Sequence, residues 1–312
     1  MADDVAKSAF AKLALGSFII SETQAILSET SAWKPDIIHA HWWFPNGVAA
    51  SAASRLSGVP LVTTAHGSDL RLLQHKPAAR PLARYVFRRS ARVTCVSSWL
   101  AAQAAPLCRT APIVAPMPVV TSLFEPTGDR DTNRIVFVGR LSVQKGIETA
   151  IRALALMKRS IVLDVIGDGP DRAALMELAD GLGLSDRILW RGHMKHGELP
   201  QLLSRSAALI APFIDEGLGL VAAEAQLCET PPVAFASGGL VDVIENNVSG
   251  LLVAPGDVDA LAASCERIVE DPALRERLGK AGRVAALARF SPEGVAERYA
   301  QIYRDVVSED AK

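Results

Sequence analysis

Short runs of β-branched and aliphatic residues alternate with longer stretches of helical period along almost the whole chain, and few folds accommodate that order. In the first half the strand candidates are residues 36–41, 60–65, 91–96 and 112–115. Helical patterns cover 6–31, 47–56, 77–89 and 97–105, the last with Ser97 placed to cap it. In the second half strands are expected at 134–138, 160–166, 188–191, 207–211, 232–236 and 250–253. Helices are expected at 145–157, 170–183, 197–204, 218–228 and 257–271, the last capped by Asp257, with three more segments closing the chain and ending in 292–307. Strict alternation of this kind builds βαβ units, and therefore parallel sheets covered by helices on both faces. The polar stretch 116–133 carries Pro116, Pro118, Pro126 and Gly128 and reads as a linker. A length of 312 residues suits the two domains this implies.

Composition narrows the function classes. With 49% hydrophobic and 21% charged residues the chain is neither disordered, collagenous nor a coiled coil. Its longest apolar runs, such as 207–213, are too short to span a bilayer. Residues 1–12 carry Asp3 and Asp4 where a secretory leader would be basic and then apolar. Cys95, Cys108, Cys228 and Cys265 follow neither a metal-ligand nor a disulfide spacing, so reduced thiols and a cytoplasmic location are expected. The net charge of −1 conceals an asymmetry: residues 1–125 hold 12 Lys and Arg against 7 Asp and Glu. Arg80, Arg84, Arg88 and Arg92 recur every fourth residue, which on one helix makes a single basic stripe. Such a stripe is either a solvated face or a surface for an anionic membrane leaflet or a phosphate-bearing acceptor. Nucleic acid is not expected, because no recognition motif accompanies it.

Open parallel sheets bind ligands beyond the carboxyl ends of their strands, and the chemically suggestive motifs fall there. In Val138-Gly139-Arg140-Leu141-Ser142-Val143-Gln144-Lys145-Gly146, two cations stand beside a helix start. They are either solvated or suited to a diphosphate, with Arg140 forking onto two oxygens and Lys145 acting as a point charge. In Asp215-Glu216-Gly217-Leu218-Gly219-Leu220-Val221-Ala222-Ala223-Glu224, the glycines allow close approach of a ligand to backbone N–H groups. Glu224, about two turns into the following helix and flanked by alanines, needs either ribose-like hydroxyls or a surface cation. Thr63-Thr64-Ala65-His66-Gly67 puts a histidine at a strand tip, as a structural residue or a partner for sugar hydroxyls. His39 and His41 alternate on the first strand ahead of Trp42-Trp43-Phe44. Gly167-Asp168-Gly169-Pro170-Asp171-Arg172 fails as a dinucleotide fingerprint, because Arg172 stands where the third glycine belongs. Asp257-Val258-Asp259 and Asp129-Arg130-Asp131 are not read as metal ligands, so no metal site is expected.

Taken in order, these motifs resemble the family 4 glycosyltransferases, retaining enzymes of the GT-B fold. The resemblance covers most of the chain from Asp36 to about Val307. It rests on Val138-Gly139-Arg140-Leu141 with Lys145-Gly146, Ile166-Gly167-Asp168-Gly169-Pro170, Arg191-Gly192-His193, the Glu216-to-Glu224 motif, Gly238-Gly239-Leu240 with Asp242-Val243-Ile244, and Ser249-Gly250-Leu251-Leu252-Val253. It implies an α/β chain of two Rossmann-like, doubly wound domains facing a cleft. Residues 1–120 would be the acceptor side, 121–133 a linker, 134–290 the nucleotide-sugar domain, and 291–312 a helix crossing back to the first domain. Donor binding would fall to Gly139, Arg140, Lys145, Gly217, Leu218, Gly219, Leu220 and Glu224, with Glu224 on the ribose and Glu216 on the donor sugar. His66 and Glu216 would be the residues at the transferred sugar. No cofactor is implied, the donor being a UDP- or GDP-linked sugar as substrate. The acceptor would be a saccharide or lipid-linked saccharide in glycan, glycolipid or polysaccharide synthesis, with peripheral contact to an anionic membrane.

The sequence departs from the family pattern at three places. Glu229 stands at a helix end usually filled by glycine, and Asp242 replaces a usual glutamate. The first strand, at 36–41, arrives after a single helical segment where the family has an earlier strand and a Gly-Gly loop. An incomplete N-terminal domain is therefore expected, with an exposed sheet edge for an oligomer or partner chain to cover. The alternative function is a non-catalytic or half-enzyme nucleotide-sugar-binding protein completed by that partner.

Overall fold

The computed structural model describes residues 9–127, 130–158 and 160–310. Two units are present. Pro116–Val295 forms the second without interruption, while the first joins the residues up to Ala115 to those from Ala296 on. Gly128 and Asp129 of the expected linker, and the opening residues 1–8, lie outside the described residues.

Unit 1 contains α1 (Ala9–Trp33), β1 (Ile38–His41), α2 (Asn46–Ser57), β2 (Leu61–Ala65), α3 (Ser68–His75), α4 (Arg80–Arg89), β3 (Arg92–Cys95), α5 (Ser98–Ala104) and β4 (Ile113–Val114). All four strands are parallel and lie in chain order. Every residue of β2 is buried, as expected of a strand with helices over both sheet faces. Ser97 caps α5 by accepting from Leu100 N at 3.3 Å. In α1, Ile26 and Leu27 pack on the core cluster of Ile38, Ala40, Ala50, Ala53 and Leu61, while Leu13, Phe18, Ile20 and Trp33 stay exposed.

Two expectations for this unit need correction. Residues 68–75 form a helix that the expected elements left out, since they run from the strand at 60–65 straight to the helix at 77–89. The basic stripe is not one helix: Arg80, Arg84 and Arg88 lie on α4, but Ser90 ends it and Arg92 opens β3, where it pairs with Glu309.

Unit 2 contains β5 (Asp131–Val138), α6 (Ile147–Leu156), β6 (Val162–Ile166), α7 (Arg172–Gly181), β7 (Ile188–Gly192), α8 (Leu199–Arg205), β8 (Ser206–Ala211), α9 (Leu220–Leu227), β9 (Pro232–Phe235), α10 (Leu240–Val243), β10 (Leu251–Val253), α11 (Val258–Glu270) and α12 (Pro272–Phe290). The closing α13 (Pro292–Asp310) carries the chain from this unit back into unit 1. Strand β5 starts before residue 134, because Asp131 already pairs with Ser206, so the expected linker is shorter. Asp257 caps α11 by accepting from Ala260 N at 2.8 Å.

The six parallel strands run in the order β10-β9-β8-β5-β6-β7. The chain thus lays β5, β6 and β7 outward in one direction, then returns to place β8, β9 and β10 on the other side of β5. That is the doubly wound arrangement, and it has one point of reversal, between β5 and β8. The core behind it is dense: Ile135, Val136 and Phe137 of β5 and all of β8 are fully buried. Among the described residues, no helix is long and apolar enough to cross a membrane.

Candidate active site

In a doubly wound sheet the two loops at the reversal diverge, one running above the sheet and one below, which leaves a crevice at the carboxyl ends of the strands. In unit 2 those loops are residues 139–146 after β5 and 212–219 after β8. They carry Gly139, Arg140, Lys145, Glu216, Gly217, Leu218 and Gly219, so the structure gathers these sequence-predicted residues at one place in the fold.

The two loops are joined in three ways. Ile214 N donates to Gln144 O at 3.1 Å, and Lys145 Nζ donates to Glu216 Oε2 at 2.6 Å. Gly146 has φ +63, and any Cβ there would collide with the Pro212 carbonyl. Only glycine both takes that left-handed conformation cheaply and allows that approach. Lys145 therefore ends a 3-10 turn (Val143–Lys145), and α6 begins at Ile147, two residues later than its expected start.

Two glycine pairs buttress these loops from behind. A Cβ at Gly167 or Gly169 would strike the carbonyls of Gly139 and Leu141. Leu141 N donates to Asp168 O at 3.0 Å. Gly238 and Gly239 likewise lie against the backbone of Glu216, Gly217 and Leu218, with Gly239 N donating to Glu216 O at 2.7 Å. The Gly167-Asp168-Gly169 stretch, a failed fingerprint for dinucleotides, thus supports the loop that carries Arg140.

Around the loops, Arg140 is exposed and makes no ion pair among the described residues. The N–H groups of Gly217, Leu218 and Gly219 donate to no other described residue. Gly219 and Leu220 lead into α9, so Glu224 lies one turn into its helix and not two. Its carboxylate is 13% exposed, and Oε1 is 3.2 Å from His196 Nε2. Burial pushes the Glu224 carboxyl above its usual range, while the His196 contact holds it back. The His196 ring in turn sits 5.1 Å, edge-on, from buried Phe124. Sequence reasoning missed His196, since Lys195-His196-Gly197 carries no periodicity and no motif. Its helix was expected from 197, but a 3-10 turn (His196–Glu198) precedes α8 there.

His66 lies in unit 1, just beyond the carboxyl end of β2. Its Nε2 is 2.8 Å from His41 Nδ1, and the Trp42 ring lies 5.2 Å away. His39 stacks on His41 with ring centroids 4.6 Å apart. It also binds Tyr303 through Nδ1 at 2.6 Å and Thr64 through Nε2 at 2.7 Å. Burial, reinforced by the neighbouring imidazoles, brings both His39 and His66 down to about 4. At neutral pH each is a neutral ring with one donor and one acceptor nitrogen. The loop that holds His66 is clamped by buried Asp69, whose Oδ1 accepts from the amides of His66, Gly67 and Leu70 at 2.9–3.1 Å. Among the described residues, no three or more His, Cys, Asp or Glu side chains form a metal-holding group.

The class of protein follows from its relatives: the chain is a GT-B glycosyltransferase. Residues 121–285 match the model described as "Glycosyl transferases group 1", and residues 5–122 match the model described as "Glycosyltransferase Family 4". The chain is 31% identical to D-inositol 3-phosphate glycosyltransferase of Frankia alni, over 94% of this chain and 81% of the relative. It is also 31% identical to 2-deoxystreptamine glucosyltransferase of Streptomyces kanamyceticus, over 77% and 70%. Among solved structures it resembles sucrose-phosphate synthase of Thermosynechococcus elongatus, with TM-score 0.79 and 26% identity over 92% of this chain and 77% of that one. The fold is shared with Anabaena HepE, solved in complex with UDP, with TM-score 0.82 and 21% identity over 91% and 82%. The chain belongs to the family 4 glycosyltransferases.

Proposed function

We propose that this glycosyltransferase moves a sugar from a nucleotide diphosphate sugar, UDP- or GDP-linked, to an acceptor hydroxyl, with retention at the anomeric carbon and without a metal. The acceptor is a saccharide or lipid-linked saccharide in glycan, glycolipid or polysaccharide synthesis. The observation that carries this reading is the convergence of Arg140, Lys145, Glu216 and the Gly217–Gly219 amides on the single reversal of the unit 2 sheet.

In this reading Arg140, Lys145 and the three amides hold the diphosphate, and they act more strongly as its charge grows during bond cleavage. Lys145 must exchange the Glu216 carboxylate for a phosphate oxygen, and Glu216 is then released toward the sugar hydroxyls. Glu224 takes the ribose hydroxyls, with His196 orienting it, and His66 serves the transferred sugar as a neutral hydrogen-bonding ring. The bond from the anomeric carbon to the diphosphate breaks, and a bond to the acceptor oxygen forms. Retention brings the acceptor to the face the diphosphate leaves, so a leaving phosphate oxygen can take the acceptor's proton.

The test is a thermal-shift panel with UDP, GDP, ADP and CDP on the wild type and Glu224→Ala. Ligand at a hundred times its dissociation constant stabilises a site by about 2.7 kcal/mol, which reads as several degrees. A shift with one nucleotide that is lost in the variant supports the donor site and identifies the base. No shift with any nucleotide overturns the reading. The configuration of the product's anomeric carbon, read by NMR coupling, tests retention, and turnover in excess chelator tests metal independence.

A further inference from the structure

A hollow of about 340 Å3 lies within unit 2, apart from the crevice at the reversal of its sheet. Arg134, Arg191 and Arg205 line it, and none of its lining residues belongs to the loops after β5 and β8. Behind the first two arginines is Asp164, which in the sheet pairs with Val136 of β5 and Leu189 of β7. Arg134 and Arg191 stand two residues from those partners, one on each flanking strand, and so share the face of Asp164. Along the other wall, lining residues 198, 201, 202 and 205 follow one side of α8 at helical spacing.

The buried carboxylate fixes two guanidinium groups at once. Asp164 has no exposed surface; its Oδ2 accepts from Arg134 Nη1 at 2.7 Å and its Oδ1 from Arg191 Nε at 2.6 Å. One carboxylate balances one of the two charges. Arg191 sits in an irregularity of β7, where Trp190 pairs with Val165 but Gly192 with Ile166, so Arg191 is the extra residue of a bulge. Bulges at sheet edges re-aim side chains, and here the edge strand turns a cation onto this face. Arg134 Nε donates to Asp131 Oδ2 at 3.2 Å. Arg134 Nη2 and both Nη groups of Arg191 are left with no partner among the described residues. Arg205 is exposed and makes no ion pair or hydrogen bond with a described residue. Ser206 beside it pairs with Asp131, which sets Arg205 at the start of β5, the same end as Arg134.

The rest of the lining is of another kind. Met194 and Leu202 are apolar, and the Gln201 amide makes no hydrogen bond with a described residue. Glu198 Oε2 accepts from Lys195 N at 3.0 Å, and its Oε1 has no described partner. Seven residues separate Glu198 from Arg205, about 10 Å along the helix, so an acid and a free cation mark its opposite ends. A bare anion finds donors at one end and repulsion at the other. A phosphate monoester of a polyol satisfies both, with phosphate oxygens on the guanidinium forks and hydroxyls donating to Glu198 and accepting from Gln201. We propose that this hollow binds a small phosphate monoester bearing free hydroxyls, through Arg134, Arg191 and Arg205 at the phosphate and Glu198 and Gln201 at the hydroxyls. The proposal does not rest on the donor site.

The test is calorimetric titration of the full chain with ribose 5-phosphate and glycerol 3-phosphate, beside inorganic phosphate and ribose. Both esters are expected to bind saturably, inorganic phosphate more weakly, and ribose not at all. Arg205→Gln, which breaks no contact with a described residue, should weaken ester binding by about tenfold or more. Arg191→Gln should do the same, and the melting temperature checks that each variant folds. Glu198→Ala should weaken the esters several-fold while binding inorganic phosphate no less tightly than the wild type. No saturable binding of either ester, or ester binding undiminished in Arg205→Gln or in folded Arg191→Gln, overturns the proposal. Displacement of the bound ester by UDP places it in the donor crevice and also overturns it. Inorganic phosphate binding as tightly as the esters, or esters unaffected by Glu198→Ala, overturns the assignment of a hydroxylated monoester.

Discussion

The Lys145 ammonium lies 2.6 Å from Glu216 Oε2 and 4.5 Å from the centre of the Phe213 ring, so one cation ties the loop after β5 to the loop after β8. Both partners are about four-fifths buried, so the pair holds the loops in register while each group remains within reach of a ligand. Lys145→Gln should weaken binding of the diphosphate nucleotide by tenfold or more, in line with about 1.5–3 kcal/mol for a hydrogen bond to a charged group. Glu216→Gln should leave nucleotide affinity within about threefold and lower turnover instead. Calorimetric titration beside initial rates separates the two, and equal losses of nucleotide affinity would refute the division of roles.

The role proposed for His66 at the transferred sugar predicts that His66→Ala reduces turnover by more than it weakens nucleotide binding. His41→Ala should produce a smaller loss of the same kind, because His41 fixes His66 through the 2.8 Å bond between their rings. If both measures fall together in His66→Ala, His66 acts only on the fold.

The histidine cluster makes unit 1 sensitive to acid. The folded protein holds His39 and His66 near 4 and His41 below its usual value, whereas the unfolded chain takes up protons near 6.5. Between those values the unfolded state binds more protons, so stability is full above about pH 6.5 and falls as pH drops toward 4. Asp69 contributes with the opposite sign, because burial raises its carboxyl. Glu22, also raised by burial, acts with Asp69; the outcome expected from the histidine cluster is a melting temperature that falls between pH 6.5 and 5. His39→Asn, which cannot be protonated, should flatten that slope.

Glu229 adopts φ +55 after the end of α9, a conformation that costs little only for glycine. Glu229→Gly should raise stability by about 0.5–1 kcal/mol, the strain relieved exceeding the entropy glycine adds to the unfolded chain. A lower midpoint in urea would show that the Glu229 side chain contributes more than its backbone costs.

Much of this architecture was legible because strand and helix periods differ and rarely blur. The strands expected at 188–191 and 207–211 appear within a residue at either end. The departure at Glu229 and the Lys145-Gly146 motif also became physical statements, a positive φ at the first and a backbone collision avoided at the second. What escaped was whatever depends on a distant partner. Nothing near His196 announces Glu224, 28 residues along the chain. Arg92 leaves the α4 arginines because β3 begins there. Gly167 and Gly169 had local meaning as a failed fingerprint, and their use became visible only against the carbonyls of Gly139 and Leu141.

The return of α13 to unit 1 fixes an order of events during synthesis. Unit 2 is one unbroken stretch and can close as soon as its own residues have left the ribosome, but unit 1 must wait for a segment made after all of unit 2. His39 gains its Tyr303 partner only then. At roughly 5–20 residues per second, the nascent first sheet spends on the order of ten seconds or more incomplete. A translational stall before residue 303 would present that sheet, without its last helix, to chaperones and proteases.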